Sequence, residues 1–382
     1  DKNDDILTMH PNEEAGMKQD SLFSKRLKRL RAATEEEGLR GAIMVPGPNM
    51  RYFTGVDSML LERPFMLLVP VEGEANLVAP ELESGPYREG PLSMKVHSWT
   101  DSEGPRGALG KAVKGADVKG KWGVEGRTPF LFLDKLLKHS SPKLRNGEPI
   151  LQGLREVKDE TEVELLRKSA AILSRSFEKF PGLLKEGLTE LEMAKAATEL
   201  IYSEGATKVD DMLVQSGPRA ADPHSLPSAR KIGRGESIVI DIGSTFGGYY
   251  ADVTRTFSIG SSPEMEKVYA KVLEAEVNGV QTSAEGVRVG SVDGAARGVL
   301  NRAGMGKYFI HRTGHGLGLE VHEAPYIVEG GKERLGPNMC FTVEPGVYMR
   351  GKLGVRIEDD VLIDGKKGVA ITNTPKEYGW WN

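Results

Sequence analysis

The spacing of apolar positions changes several times along the chain, and each change marks a predicted element. Over residues 21–37, Leu22, Leu27 and Leu30 stand among basic and then acidic side chains, which predicts a surface helix. Residues 1–20 before it are polar and aperiodic, and read as a leader. "GAIMV" (41–45), "FMLLVP" (65–70) and "KWGVEG" (121–126) are short apolar runs bounded by turn residues, and read as strands. Helical stretches are expected near 105–114 and 128–138. Strands alternating with helices predict an α/β domain over 21–153.

The pattern then lengthens. "LREVKDETEVELLRKSAAIL" (154–173) begins a charged helix that Asp159 can cap, with Glu162 three residues on. A second helix is expected over 190–204. "ESIVIDIGSTFGGYYADVTRTF" is two strand-like runs around a Gly-Gly turn, a hairpin signature. Helices follow at 263–282 and 291–303, and "CFTVEPGVYMRGKLGVRIEDDVLI" is again strand, turn, strand. Long helices beside hairpins predict an α+β domain over 154–382.

Bulk properties narrow the function classes. The net charge is −4, without the basic surplus that nucleic-acid binders carry. No apolar run reaches the ~20 residues that span a bilayer, so no membrane partner is expected. The single cysteine, Cys340, sits in an apolar run, where an inert buried thiol is expected. A reduced, cytoplasmic enzyme is consistent with these features. "GHGLG" lacks both the spacing and the strand-to-helix setting of a dinucleotide loop. No G-x-S-x-G nucleophile elbow occurs. "HRTGH" has Arg where a helical zinc motif needs Glu.

The anomaly lies inside the strands. Asp241, Asp252, Glu344 and Glu358 each follow apolar or β-branched neighbours, where a carboxylate is costly to bury unless it is paired or binds metal. Four such residues, with the histidine-rich stretch "HRTGHGLGLEVHE" (311–323), suit two divalent cations: Mn²⁺, Co²⁺, Fe²⁺ or Zn²⁺. Cations roughly 3.5–4 Å apart need bridging negative charge between them. A hairpin can supply two facing ligands, hence the pairs Asp241 with Asp252 and Glu344 with Glu358. Strand alternation puts Arg356, Glu358 and Asp360 on one face, so Asp360 competes with Glu358, and Asp359 points away.

The order Asp241, Asp252, His315, Glu344, Glu358 resembles the five-ligand set of the pita-bread metallopeptidases. "DIGSTFGGYYADVTRTF", "HRTGHGLGLEVHE", "FTVEPGVY" and "GVRIEDDVLI" are similar to the motifs of its Xaa-Pro branch, the prolidases and aminopeptidases P. "GPNMRYFTGV" (47–56) resembles, more weakly, the family's N-terminal domain. The resemblance implies a creatinase-like α/β domain followed by an α+β pita-bread catalytic domain. It implies two divalent ions per chain, with Mn²⁺ preferred. Asp241 would chelate one ion, Asp252 and Glu358 would bridge both, and His315 and Glu344 would hold the second. His322 and His224 resemble the family's substrate-contacting histidines. Glu344 would also shuttle a proton, Arg356 would lie beside the last ligand, and His311 would line the same cleft.

The implied reaction is metal-assisted hydrolysis of the bond between an N-terminal residue and proline in dipeptides or short peptides. A homodimer is also implied. Xaa-Pro dipeptidase is favoured over an aminopeptidase acting on longer peptides. More distant alternatives are another amide or phosphoester hydrolase and a non-catalytic binding protein of the same fold. A dipeptidase must recognise a free carboxylate after proline, a task for a cation. Arg356 is one candidate, although the resemblance puts it near the metals in both activities; Arg63, in "LLERPF" (60–65), is the other if that loop crosses to a partner's cleft, and is otherwise an exposed surface arginine.

Overall fold

The computed structural model describes residues 13–381. The chain divides into two compact units, Asp1–Arg155 and Glu156–Asn382.

The first unit runs α1 (Glu13–Glu36), β1 (Gly41–Met44), α2 (Pro48–Thr54), β2 (Met66–Pro70), β3 (Asn76–Pro80), α3 (Glu81–Glu89) and β4 (Lys95–Trp99). It continues with α4 (Arg106–Gly115), β5 (Lys121–Val124), α5 (Phe130–Leu137), β6 (Lys143–Asn146) and α6 (Glu148–Glu156). Its strands form one mixed sheet in the order β4-β3-β2-β1-β5-β6. Buried Ile43, Leu68, Val78 and Trp122 pack with Leu109, Ala112, Phe132 and Leu136 from α4 and α5, the core expected of an α/β domain. Helix α1 begins at Glu13, inside the stretch read as an aperiodic leader; residues 1–12 of that leader lie outside the described ones. It is also less of a surface helix than its charges suggest, because Phe23, Leu27 and Leu30 are buried.

The second unit opens with α7 (Glu160–Lys179), α8 (Glu190–Ser203), β7 (Lys208–Ser216), β8 (Ile238–Phe246) and β9 (Tyr249–Phe257). Then come α9 (Pro263–Thr282), α10 (Val289–Arg302), β10 (Gly314–Gly316), β11 (Glu323–Ile327), β12 (Cys340–Val343), β13 (Gly346–Met349), β14 (Leu353–Arg356), β15 (Asp359–Asp364) and β16 (Lys367–Ala370). Asp159 caps α7 in a full capping box with Glu162, and Thr189 does the same for α8 with Glu192. The start expected at Asp159 is where α7 begins, and the residues before it, Leu154–Glu156, close the separate helix α6.

Two sheets face the site. One is β7-β8-β9; the other has the order β11-β10-β12-β15-β16, with β13 and β14 as a separate pair. Helices α7 to α10 back them, and Leu173, Phe177, Met193, Ile240, Val253, Phe257, Val272 and Leu300 share one buried core. The β8–β9 turn is Gly247-Gly248, with φ of 59° and 85°, the left-handed pair that a two-residue hairpin of matching twist requires. Cys340 is buried, and burial pushes its thiol well above the usual range, as an inert cysteine should be. Among the described residues, no helix is long and apolar enough to cross a membrane.

Candidate metal centre

A cleft of about 380 Å³ in the second unit is lined by Asp241, Asp252, His315, Glu344 and Glu358, together with His224, His311, His322, Arg312, Arg356 and Pro223. Apart from Asp360, the rival to Glu358, every residue singled out in the second domain as ligand or catalytic group lines this one space.

The β8–β9 hairpin contributes two carboxylates. Asp241 is paired with Thr254 and Asp252 with Gly243, so the two acids share a face but stand diagonally, not directly opposed as the facing-pair expectation had it. The second hairpin contributes two more. Val343 pairs with Asp359 and Gly346 with Arg356, and the ladder is interrupted between these rungs. Glu344 and Glu358 occupy the interruption. Their backbones bond outward instead, Glu344 N–H to Thr313 O at 2.8 Å and Glu358 N–H to Thr254 O at 3.1 Å.

The glycines around His315 permit a close approach of strands. A Cβ at Gly314 would collide with the Thr342 carbonyl, and one at Gly316 with the Ala324 carbonyl. His315 can therefore sit between β11 and β12 at backbone contact distance. Its Nδ1 lies 3.1 Å from Gly316 O, which fixes the tautomer that leaves Nε2 as a ligand atom. Nε2 is 3.2 Å from Glu344 and 4.0 Å from Asp252. Donor atoms of Asp252, His315 and Glu358 all lie within 4.8 Å of one another.

The electrostatics are those of a cation site. Burial pushes Asp252 well above the usual carboxylate range, and repulsion from Asp241, Asp360 and Glu344 adds to it. Glu358 is raised in the same way, by burial and then by Asp252, Glu344 and Asp241. Burial also works against Glu344, but its hydrogen bond and attraction to His315, helped by His311 and Arg356, bring it down to about 2. The Oδ1 atom of Asp252 is buried without a hydrogen-bond partner. A buried, unpartnered carboxylate oxygen beside other acids and a correctly tautomerised imidazole fits a divalent ion with oxygen and nitrogen ligands.

Supporting side chains fix the set. Thr254 Oγ1 donates to Glu358 at 2.5 Å, and Thr342 Oγ1 to Glu344 at 3.1 Å. Arg356 is buried and fully engaged: Nε donates to Thr254 Oγ1, one terminal nitrogen to Tyr348 OH at 2.8 Å, and the other to Asp241. Tyr348 OH lies 2.9 Å from His311 Nε2, and His311 Nδ1 lies 2.7 Å from Arg312 O. A chain thus runs from Asp241 through Arg356 and Tyr348 to His311. Arg356 orients Asp241 while still lining the cleft. Tyr348, Thr254 and Thr342 were missed. The two threonines stand two positions from Asp252 and Glu344, a spacing that could have found them, but nothing in the sequence marks Tyr348.

The histidines divide by environment. His322 is exposed at the cleft, edge-to-face with His315 at a centroid distance of 4.0 Å, and burial of its ring, then His315 and Arg312, lower its pKa to about 4. His311 is also held neutral, chiefly by burial. His224 sits on an exposed loop that buried Gln215 holds on both sides, by donating to Pro223 O at 3.1 Å and Ser225 O at 3.0 Å. Asp360 is not in the cleft; its Oδ2 accepts the Asp252 backbone N–H at 3.1 Å. Asp359 points away, to Arg255 and Lys376, as alternation predicts. Arg63, in the first unit, gives two nitrogens to Asp101, each at 3.0 Å, and a third to Glu62. Its fork is already filled.

Residues 164–365 match the model of metallopeptidase family M24, and residues 26–157 match the creatinase/prolidase N-terminal domain. The chain belongs to metallopeptidase family M24. The peptidase is 37% identical to the probable dipeptidase PepE of Mycobacterium tuberculosis over 93% of this chain and 96% of that one. Among solved structures it resembles a prolidase from Thermococcus sibiricus, with a TM-score of 0.88, 39% identity and coverage of 93% and 98% of the two chains. The dipeptidase PepE of Mycobacterium ulcerans gives a TM-score of 0.87 at 38% identity, covering 94% and 97%. The fold is therefore a creatinase-type N-terminal domain followed by a pita-bread catalytic domain, and the enzyme is a metallopeptidase acting on peptides.

Proposed function

We propose that this peptidase is a dinuclear Xaa-Pro dipeptidase that hydrolyses the bond between an N-terminal residue and proline. The observation that carries the reading is the convergence of four carboxylates and the Nε2 of His315 on one cleft, with a buried Asp252 oxygen left unpartnered. Asp241 would hold one ion, Asp252 and Glu358 would bridge, and His315 and Glu344 would hold the other. Mn²⁺ is the preferred occupant. When bound, two such ions would make water nucleophilic at neutral pH and polarise the scissile carbonyl.

The remaining steps belong to the chain. His322 and His224, both lining the cleft, donate hydrogen bonds to the carbonyl oxygen as it gains charge. Glu344 carries the proton released by water to the departing proline nitrogen. That nitrogen comes from a tertiary amide with no N–H and must be protonated to leave. Arg356 and Tyr348 keep Asp241 and His311 in place. The dipeptide preference is supported by relatives named dipeptidase and prolidase.

The test combines metal and substrate. Protein stripped with a chelator and reloaded with Mn²⁺ should bind close to two ions per chain and recover hydrolysis of Xaa-Pro dipeptides. Undiminished turnover by the stripped protein, or cleavage of dipeptides without proline in preference to Xaa-Pro, would overturn the reading.

A further inference from the structure

Two arginines line the cleft, and they are in opposite states. Arg356 is buried and bonded at every nitrogen-bearing arm to Thr254, Tyr348 and Asp241. Arg312 is half-buried, and among the described residues its guanidinium has neither hydrogen bond nor ion pair. Its one contact is a face: the guanidinium carbon stands 4.5 Å from the centre of the Tyr326 ring. Stacking of this kind fixes the plane of the guanidinium while its edge N–H groups stay free to donate.

The position of that platform matters. Tyr326 is the cross-strand partner of His315 in the β10–β11 pairing, so Arg312 is anchored one strand away from a proposed metal ligand. His322, the proposed donor to the scissile carbonyl, is close enough to feel the charge of Arg312. A carboxylate on the residue after the scissile bond lies only three covalent bonds from the reacting carbonyl carbon. It therefore falls within the same cleft, which Arg312 lines. The acids of the metal set do not engage Arg312, and Arg63 is filled by Asp101 and Glu62. A forked, unpaired cation held rigid beside the reacting centre matches a carboxylate in shape and charge.

We propose that Arg312 binds the free α-carboxylate of the substrate's C-terminal residue, and that this contact makes the enzyme a dipeptidase. The proposal rests on the dipeptidase reading above and gives it a residue. It also disfavours peptides extended beyond proline, because an amide in place of the carboxylate offers no charge to pair with Arg312.

The experiment compares the kcat/KM for an Xaa-Pro dipeptide with that for the same dipeptide amidated at its C-terminus, using full-length Mn²⁺-loaded protein. In the wild type the acid should be strongly preferred. Arg312→Met should lower the rate on the acid on the order of 10–100-fold, mainly through KM, and lower that on the amide far less. Arg312→Lys should recover part of the loss, since a point charge replaces the fork. Metal content and melting temperature should not move. An equal loss on acid and amide would reduce Arg312 to a structural partner of Tyr326 and overturn the proposal. A strong acid preference that survives Arg312→Met would overturn it too, while leaving the dipeptidase reading intact. A wild type indifferent to amidation would overturn the dipeptidase reading itself, and Arg312's role with it.

Discussion

The two hairpins that meet at the cleft solve the same problem differently. The one at 238–257 is a regular ladder, with nine consecutive rungs from Ile238 with Phe257 to Phe246 with Tyr249. Its acids lie within strands, and the pleat aims them. The one at 340–364 is broken, and its acids lie in the break. There the hairpin keeps only a long bond from Ile357 N–H to Pro345 O at 3.5 Å, and Glu344 and Glu358 pair with Thr313 and Thr254 instead. Glu358 is thereby joined to the other hairpin by a bridge to Thr254. A regular strand can present carboxylates on one face, but it cannot turn two sheets toward one point. The interruption does that.

The largest expected effect comes from removing one proposed bridge from each hairpin. Asp252→Ala and Glu358→Ala should each reduce turnover to background and lower metal content, since either leaves cationic repulsion unscreened. Metal analysis beside a dipeptide assay reads both. Should the Glu358 variant keep two ions and full rate, the break in the second hairpin has no role in the site.

The same contrast explains what the sequence could reveal. The β8–β9 hairpin was legible because Gly247-Gly248 marks its turn and alternation marks its faces. Asp159 and Glu162 announced the start of α7, and Pro263 that of α9. In the first unit β3, β4 and β6 escaped notice. β4 and β6 are edge strands, "KVHSW" and "KLRN", without an apolar run, because an edge faces solvent. The ligand set was legible because acids among β-branched residues are anomalous in a core. Arg63 could not be placed from sequence, because a surface arginine looks the same whether free or, as here, bonded to Asp101 and Glu62. Arg312 was passed over for the complementary reason: only the fold shows that none of the described residues pairs with it.

An intermediate effect should separate the threonines that support each hairpin. Thr254 reaches from one hairpin to Glu358 of the other, whereas Thr342 serves Glu344 two residues along its own chain. Loss of a side chain that orients a ligand typically costs about 10–100-fold in metal affinity or activity. Thr254→Val should fall in that range, measured by Mn²⁺ titration of the stripped protein. Thr342→Val should cost less, because Glu344 also holds a backbone bond to Thr313 and contacts His315. A larger loss at Thr342 would mean that the broken hairpin depends on side-chain support more than the link between hairpins does.

The smallest effect tests how far alternation can be trusted across the break. Counting along the strand made Asp360 a rival to Glu358. In the structure Asp360 is fully buried, one rung beyond the cleft, with Oδ2 accepting the Asp252 N–H and its own N–H bonded to Thr372. Burial, the largest influence, pushes its carboxyl well above the usual range. A neutral group already suits that position. Asp360→Asn preserves shape and an acceptor oxygen for the Asp252 N–H, and removes only the charge. The variant should keep two ions per chain and turnover within a few-fold of wild type, whereas Glu358→Gln should lose metal. If Asp360→Asn empties the site as Glu358→Gln does, Asp360 is a ligand and the phase of the strand runs through the break unchanged.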